Sequence, residues 1–100
     1  MTSLRYEATF TRDLERIVGF LVTHEAADVA ERIGDIFVAI ELLQRHPLIG
    51  RSAGPPRREL VIGRGSRGYI ARYRYDELDD EVIVLALRAQ REAGFGEGQR

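Results

Sequence analysis

The sequence predicts one α+β domain in two layers, with elements in the order β-α-α-β-β-β. Three observations predict it. Apolar and polar residues alternate over 4–10, as in a half-buried strand. Apolar residues then recur at helical spacing to about residue 43. Three strand-like runs follow at 58–62, 69–75 and 82–89, so a helical hairpin can cover one face of a sheet and leave the other face open.

The first strand leads directly into the first helix. Every second residue of 4–10 is apolar, ending at Phe10. Thr11 follows and is a suitable helix cap, with Asp13 and Glu15 in the first turn where the helix dipole favours acids. This helix is expected to run to about His24.

The second helix carries a continuous apolar seam with spacings of three and four residues. Pro47 ends this stretch, which at ~1.5 Å per residue is roughly 30 Å long. The short join at His24 predicts an antiparallel helical hairpin. Gly19 and Gly34 lie inside helices, where glycine is unfavourable, and they predict points of close approach. The seam consists of Ala26, Val29, Ile33, Ile36, Ile40 and Leu43.

The second half of the chain begins with a loop, predicted by composition over 47–57. A glycine-rich turn at 63–68 and an acidic turn at 76–81 then separate the three strands. Residues 82–87 are apolar on both faces, which is typical of a central strand.

Composition excludes several classes of protein. The chain has 100 residues, 44% of them apolar, which suits one domain. It has no cysteine, so disulfides, a thiol nucleophile and a cysteine zinc site are excluded. No signal peptide or membrane span is predicted, and a cytoplasmic location is expected. The domain is expected to cover 1–95, with a flexible tail at 96–100.

A net charge of −1 conceals a strongly basic segment. Residues 51–75 hold seven arginines and one acid, a balance of +6, whereas 1–50 and 76–100 balance to −3 and −4. Local charge dominates because electrostatic steering acts over about a Debye length, ~8–10 Å. The segment predicts recognition of an anion, either nucleic-acid phosphates or an acidic protein segment. A solvated sheet face in an arginine-rich sequence is the alternative.

The candidate binding residues are arginines grouped around the open face of the predicted sheet. Arg72 and Arg74 alternate with apolar positions of the middle strand, and the register adds Arg88. Arg57 lies nearby at a strand end. The candidate target- or phosphate-binding residues are Arg58, Arg64, Arg67, Arg72, Arg74, Arg88 and Arg91.

No catalytic, metal or cofactor site emerges from the motifs. The G-x-G-x-x-G string at 63–68 precedes a strand rather than a helix, which favours a hairpin loop over a dinucleotide site. His24 lacks the second histidine of the H-E-x-x-H zinc motif, and His46 lies at the far end of the helix. The serines have no neighbouring base. We therefore expect no metal and no cofactor, and the catalytic residues are unknown.

The later strands resemble a known family. Four strings occur in the order and spacing of that family: RELVI at 58–62, YIARYRY at 69–75, DDEVIVL at 79–85 and LRAQREAGF at 87–95. Over about 4–95 the chain resembles the RelE/ParE superfamily of bacterial toxins from type II toxin–antitoxin modules. The resemblance implies an antiparallel sheet and a cognate antitoxin that wraps the toxin in a hetero-oligomer.

Two activities divide this superfamily. ParE-like members poison DNA gyrase, whereas RelE-like members cleave mRNA on the ribosome, often with lysines of the later strands. This chain has no lysine, and Ala89 and Phe95 stand where many relatives carry histidine and tyrosine. Arginine is a poor proton shuttle, with a pKa above ~12, so we expect the ParE-like activity. A ribosome-dependent mRNA endoribonuclease and an inactive antitoxin-binding relative are the alternatives.

Overall fold

The computed structural model describes residues 1–64 and 68–90, and predictions for 65–67 and 91–100, including the flexible tail, lie outside these residues. The α+β class and the predicted order are confirmed, with one additional short strand. The elements are β1 (Ser3–Tyr6), α1 (Ala8–Thr23), α2 (Val29–Glu41), a 3-10 turn (Leu42–Gln44), β2 (Arg51–Ser52), β3 (Arg57–Ile62), β4 (Tyr69–Asp76) and β5 (Glu81–Ala89).

The five strands form one sheet in the order β1-β5-β4-β3-β2. The two helices carry the chain from β1 at one edge to β2 at the other, and three antiparallel steps then return it to β5. This return leaves β5 running in the same direction as β1, so that pair is parallel. The antiparallel arrangement implied by the family resemblance therefore holds for β2 to β5, and the complete sheet is mixed.

Helix α1 begins at Ala8, earlier than predicted. The strand prediction through Phe10 and the cap prediction for Thr11 are wrong, because Glu7 occupies the N-cap position with an extended backbone (φ −80°, ψ 158°). The Glu7 N–H still bonds to the Val84 carbonyl at 2.9 Å. The alternating pattern was ambiguous here because Phe10 is buried either as a strand residue or as the first core residue of a helix.

Helix α2 is shorter than the apolar seam suggested. Residues 24–28 form a turn in which Glu25 (φ 52°) and Asp28 (φ 58°) adopt left-handed conformations. The 13 residues of α2 span about 20 Å, instead of roughly 30 Å. Ala26 nevertheless packs against the core from the turn, which explains why the seam extended beyond the helix.

The close approach predicted at Gly19 and Gly34 is wrong, because a Cβ atom at either position would meet nothing within 4 Å. The close approach occurs at Gly50 instead. A Cβ atom there would lie 2.7 Å from the ring of Tyr73 and 2.8 Å from the Glu59 carbonyl oxygen. Any larger residue at position 50 would therefore displace the buried Tyr73 ring.

The core lies between the helices and one face of the sheet, as predicted. Each fully buried aliphatic side chain contributes about 1.5–3 kcal/mol relative to an exposed one. Within the described residues, no helix is long and apolar enough to cross a membrane. The buried cluster comprises Phe10, Ile17, Leu21, Ile36, Ile40 and Leu43 from the helical layer and Leu60, Ile62, Tyr69, Ala71, Tyr73, Val82, Val84 and Leu87 from the sheet.

Candidate functional site

Strand pairing gathers arginines on the side of the sheet opposite the helices. Ala71 and Tyr73 belong to the core, so the alternating residues Arg72 and Arg74 of β4 lie on the other side. The registers with β1, β2, β3 and β5 bring further arginines to that side. This surface is termed the arginine face. Its arginines are Arg5, Arg51, Arg57, Arg72, Arg74 and Arg88.

Arg88 reaches the arginine face through a β-bulge. The pairing of β4 with β5 skips Leu85. If side chains alternated strictly from Val84 onward, position 88 would face the core. Because Leu85 is skipped in the pairing, the residues after it face the opposite side from the one that strict alternation gives. Leu87 is therefore buried in the core, and Arg88 lies outside it, paired with Ile70.

Two side chains of α1 hold the bulge in place. The Thr9 hydroxyl donates a hydrogen bond to the Leu85 carbonyl. The Asp13 carboxylate accepts one from the Leu87 N–H at 2.9 Å. Asp13 thus connects the helical layer to the strand segment that exposes Arg88, a role that its expected position in the first turn of the helix did not suggest.

One carboxylate is shared by two arginines of the arginine face. Glu59 on β3 receives hydrogen bonds from Arg51 at 3.1 and 3.3 Å, and one from Arg72 at 3.5 Å. The Glu59 side chain is 13% exposed, against 33% for Arg72 and 59% for Arg51. Glu59 therefore offsets part of the charge on this row, while its arginines remain accessible to solvent.

The next row of the arginine face has no such compensation. Arg57 on β3 lies directly opposite Arg74 on β4. Neither forms an ion pair with a carboxylate in the described ranges 1–64 and 68–90. Like charges directly opposite in a sheet are destabilising. This pair therefore places two arginines side by side with no carboxylate of the described residues paired to either.

Arg58 is not on the arginine face, which corrects its inclusion with the face residues. It lies on the helix side of β3, and its Nη1 donates to the carbonyl oxygens of Leu48 at 3.2 Å and Gly50 at 2.8 Å. Strand alternation, rather than proximity in sequence, separates Arg58 from Arg57. The position of Arg58 gives it a role in fixing the loop before β2.

Of the other predicted arginines outside the strands, the structure describes Arg64. Arg64 is exposed just beyond β3, outside the paired strands. Arg67 and Arg91 lie outside the described residues. Arg88 donates through Nη1 to the Ala89 carbonyl at 3.3 Å. The structure thus brings together Arg72, Arg74 and Arg88 from the predicted set.

Sequence patterns did not place Arg5, Arg51, Glu59 or Glu81 on the arginine face, and Arg57 was not among the candidate binding residues. Arg51 fell in a segment predicted as a loop, because a strand of two residues leaves no periodicity to detect. The available signal was the Gly-Pro-Pro string at 54–56, which is typical of a tight turn. A tight turn there folds β2 back onto β3 and brings Arg51 opposite Glu59.

Tyr73 is a buried structural residue. Its hydroxyl donates to the Pro47 carbonyl at 2.8 Å and accepts from the Gly50 N–H at 2.9 Å. Burial raises its pKa above the ordinary value. Together with Arg58, it holds the loop that leads into β2.

A second hydrogen-bonded group joins Tyr75 and Asp80 to Thr2, near the N-terminus. The Asp80 Oδ1 accepts from the Thr2 hydroxyl and from the Tyr75 hydroxyl, each at 2.7 Å. These bonds, that of Thr2 first, hold the pKa of Asp80 below its ordinary value. The bond to Asp80 raises the pKa of Tyr75. The group secures the start of the edge strand β1.

The histidines lie away from the arginine face. His24 follows α1, where its ring stacks on Phe20 with centroids 4.1 Å apart. His46 follows the 3-10 turn on the helical side. Within residues 1–64 and 68–90, no group of three or more metal-ligating side chains occurs.

The fold is similar to that of chains from solved toxin–antitoxin systems. The chromosomal ParDE system of P. aeruginosa matches with a TM-score of 0.71 at 24% identity, over 89% of this chain and 96% of that chain. The intact RelBE complex of E. coli matches with a TM-score of 0.61 at 15% identity, over 92% and 100%. The RelBE2 complex of Mycobacterium tuberculosis matches with a TM-score of 0.56 at 20% identity, over 89% and 98%. At these identities the matches establish the fold.

The family follows from sequence. The model for the ParE toxin of the type II toxin–antitoxin system parDE matches residues 4–94, so the chain belongs to the ParE toxin family. Toxin RelE1 of Caulobacter vibrioides is 38% identical over 64 residues, which are 63% of this chain and 68% of the relative. The resemblance to the RelE/ParE superfamily is thereby confirmed.

Proposed function

We propose that this chain is a growth-inhibiting toxin that acts in the ParE manner, by poisoning DNA gyrase, until a cognate antitoxin neutralises it in a hetero-oligomer. The observation that carries the proposal is the arginine face, whose described residues supply guanidinium groups but no tyrosine or histidine. The family match over residues 4–94 supports the same branch. The target lies in the cytoplasm, and so does the proposed site of action.

The chemistry of the face favours binding over RNA cleavage. Cleavage at a 2′-hydroxyl needs a group that removes a proton and one that donates it. Arginine exchanges protons poorly because its pKa lies above ~12. Of the described carboxylates that strand pairing places on the face, Glu59 and Glu81 are paired with arginines, and the Asp76 Oδ1 accepts backbone N–H groups of the turn that follows β4. The face can therefore hold a phosphate or carboxylate of a target without acting as an acid or base.

A second candidate function is a RelE-like mRNA endoribonuclease. The 38% identity to Toxin RelE1 favours it, and the same arginines could hold RNA phosphates. RNA cleavage would require proton-transfer groups that the described residues of the arginine face do not supply.

Induced expression of the toxin alone in a bacterial host separates these functions. The proposal predicts growth arrest with accumulation of covalent gyrase–DNA complexes, and relief when the antitoxin is co-expressed. Transcripts cut within codons, without gyrase–DNA complexes, would support the endoribonuclease instead. Unimpaired growth with folded, soluble toxin would leave only an antitoxin-binding protein.

A further inference from the structure

A cleft of about 500 Å³ opens where β3 begins and β4 ends, at the border of the arginine face. Three apolar side chains line it: Leu48, Pro56 and Leu78. Leu78 is 97% exposed and Leu48 is 52% exposed, so both present apolar surface to solvent. Arg58 and Arg74 supply guanidinium groups to the same cleft. Apolar and cationic surface thus meet in one concave site.

Hydrogen bonds fix the backbone on both sides of the cleft. On one side Arg58 binds the carbonyl oxygen of Leu48. On the other side the Asp76 Oδ1 accepts from the N–H groups of Leu78 at 3.0 Å and Asp79 at 3.2 Å. Apolar groups carried on a preorganised backbone lose little conformational entropy when a partner binds. The two exposed leucines are therefore well placed for recognition.

The charges of the cleft are divided between its two sides. The strand side carries Arg58 and Arg74, whereas the hairpin at 76–81 contributes the acids Asp76 and Glu77 to the lining. A continuous polyphosphate chain would be repelled by that hairpin. A protein segment with a carboxylate toward the strands and a basic group toward the hairpin would be attracted at both ends.

We propose that this cleft binds a segment of the cognate antitoxin in which a large apolar side chain lies between a carboxylate and a basic residue. The inference rests on the proposed function, because the antitoxin is the partner in that function. Arg74 belongs both to the cleft and to the arginine face. A segment bound in the cleft therefore removes Arg74 from the reach of the target and contributes to neutralisation.

The variants Leu78→Ser and Leu48→Ser test the cleft, with Val38→Ser as the matched control. Val38 is 64% exposed on α2, so all three changes remove an exposed aliphatic group. The binding probe is a short fluorescent peptide containing Glu-Leu-Leu-Lys. We expect each cleft variant to weaken peptide binding about fivefold or more, which corresponds to ~1 kcal/mol, and the control to leave it unchanged.

In cells, the two cleft variants are expected to arrest growth alone and to escape neutralisation by co-expressed antitoxin. Neutralisation equal to that of the unmodified toxin, or peptide binding indifferent to both changes, would overturn the proposal. Displacement of the peptide by oligothymidylate would assign the cleft to nucleic acid instead. Failure of the unmodified toxin to arrest growth would reject the proposed function, while the peptide measurement would still decide the cleft.

Discussion

The carboxylate of Glu59 lies 3.5 Å from the guanidinium of Arg72, within a surface whose charge is otherwise mostly positive. The same carboxylate binds Arg51 from the strand on its other side. Glu59 thus lies between Arg51 and Arg72, in a position that an anionic group of a target could otherwise occupy. A target that binds here must compete with a carboxylate belonging to the toxin itself.

Glu59→Gln is expected to strengthen polyanion binding, because it releases Arg51 and Arg72 from the shared carboxylate. Heparin is a suitable probe, with affinity measured by calorimetry at several salt concentrations. The slope of log affinity against log salt concentration should become more negative by roughly one unit, as expected for one additional charge contact. Glu31→Gln, an exposed change on α2 with the same effect on net charge, is the control. Equal affinities for the two variants would show that Glu59 acts only through net charge.

The double variant Arg57→Ala/Arg74→Ala is expected to bind heparin more weakly without losing stability. Removing two like charges that face each other across β3 and β4 should leave the free energy of unfolding unchanged or raise it by about 0.2–1 kcal/mol. Urea denaturation measures this quantity. The lysine double variant, which keeps both charges, is the control and should retain most of the binding. A loss of stability beyond ~1 kcal/mol would contradict the absence of stabilising ion pairs at this site.

Long periodic elements were predictable from the sequence, whereas features set by single residues were not. The α+β order and the apolar face of β4 follow from patterns repeated over many residues. The start of α1 did not, because Phe10 satisfies both the strand and the helix period. The parallel pairing of β1 with β5 depends on where the helices return the chain, which no local pattern encodes.

The arginine face was predictable only in part, for a related reason. Arg72 and Arg74 follow from alternation within one strand. Arg88 depends on a bulge at Leu85, and Arg51 on a strand of two residues. Arg58 lies on the other side of the sheet because neighbouring residues of a strand point to opposite faces. Pairing between strands, rather than charge along the chain, therefore selects the members of the site.

Tyr73→Phe is expected to destabilise the fold by about 1–3 kcal/mol, because it leaves the buried Gly50 N–H and the Pro47 carbonyl without their partner. Thermal unfolding should show a fall of roughly 4–8 °C per kcal/mol for a domain of this size. Tyr69→Phe is the control, since the Tyr69 hydroxyl makes no hydrogen bond to a described residue. Equal stability of the two variants would contradict the structural role given to the Tyr73 hydroxyl.

Thr2→Val is expected to raise the pKa of Asp80 toward its ordinary value, because the Thr2 hydrogen bond is the largest cause of its depression. A depressed pKa means that the unfolded chain takes up the proton first. The associated stability is therefore present above the ordinary aspartate pKa of about 3.9 and is lost as pH falls through the lower folded-state value. An NMR titration of the Asp80 carboxyl group measures the shift directly.

The acid limb of the stability curve gives an independent check on the same group. In Thr2→Val the urea midpoint should decline less steeply below about pH 4 than in the unmodified protein. Ser3→Ala, an exposed change at the adjacent position, should behave like the unmodified protein. An Asp80 pKa that does not move in Thr2→Val would refute the assigned cause.

Growth arrest by the double variant Arg72→Ala/Arg88→Ala tests the role of the arginine face most directly. The matched control is Arg12→Ala/Arg45→Ala, which removes two exposed arginines from the helical side of the molecule. Both variants are expected to be soluble and to unfold cooperatively. We expect the face variant no longer to arrest growth and the control to arrest it as the unmodified toxin does. Undiminished growth arrest by folded Arg72→Ala/Arg88→Ala would contradict this expectation.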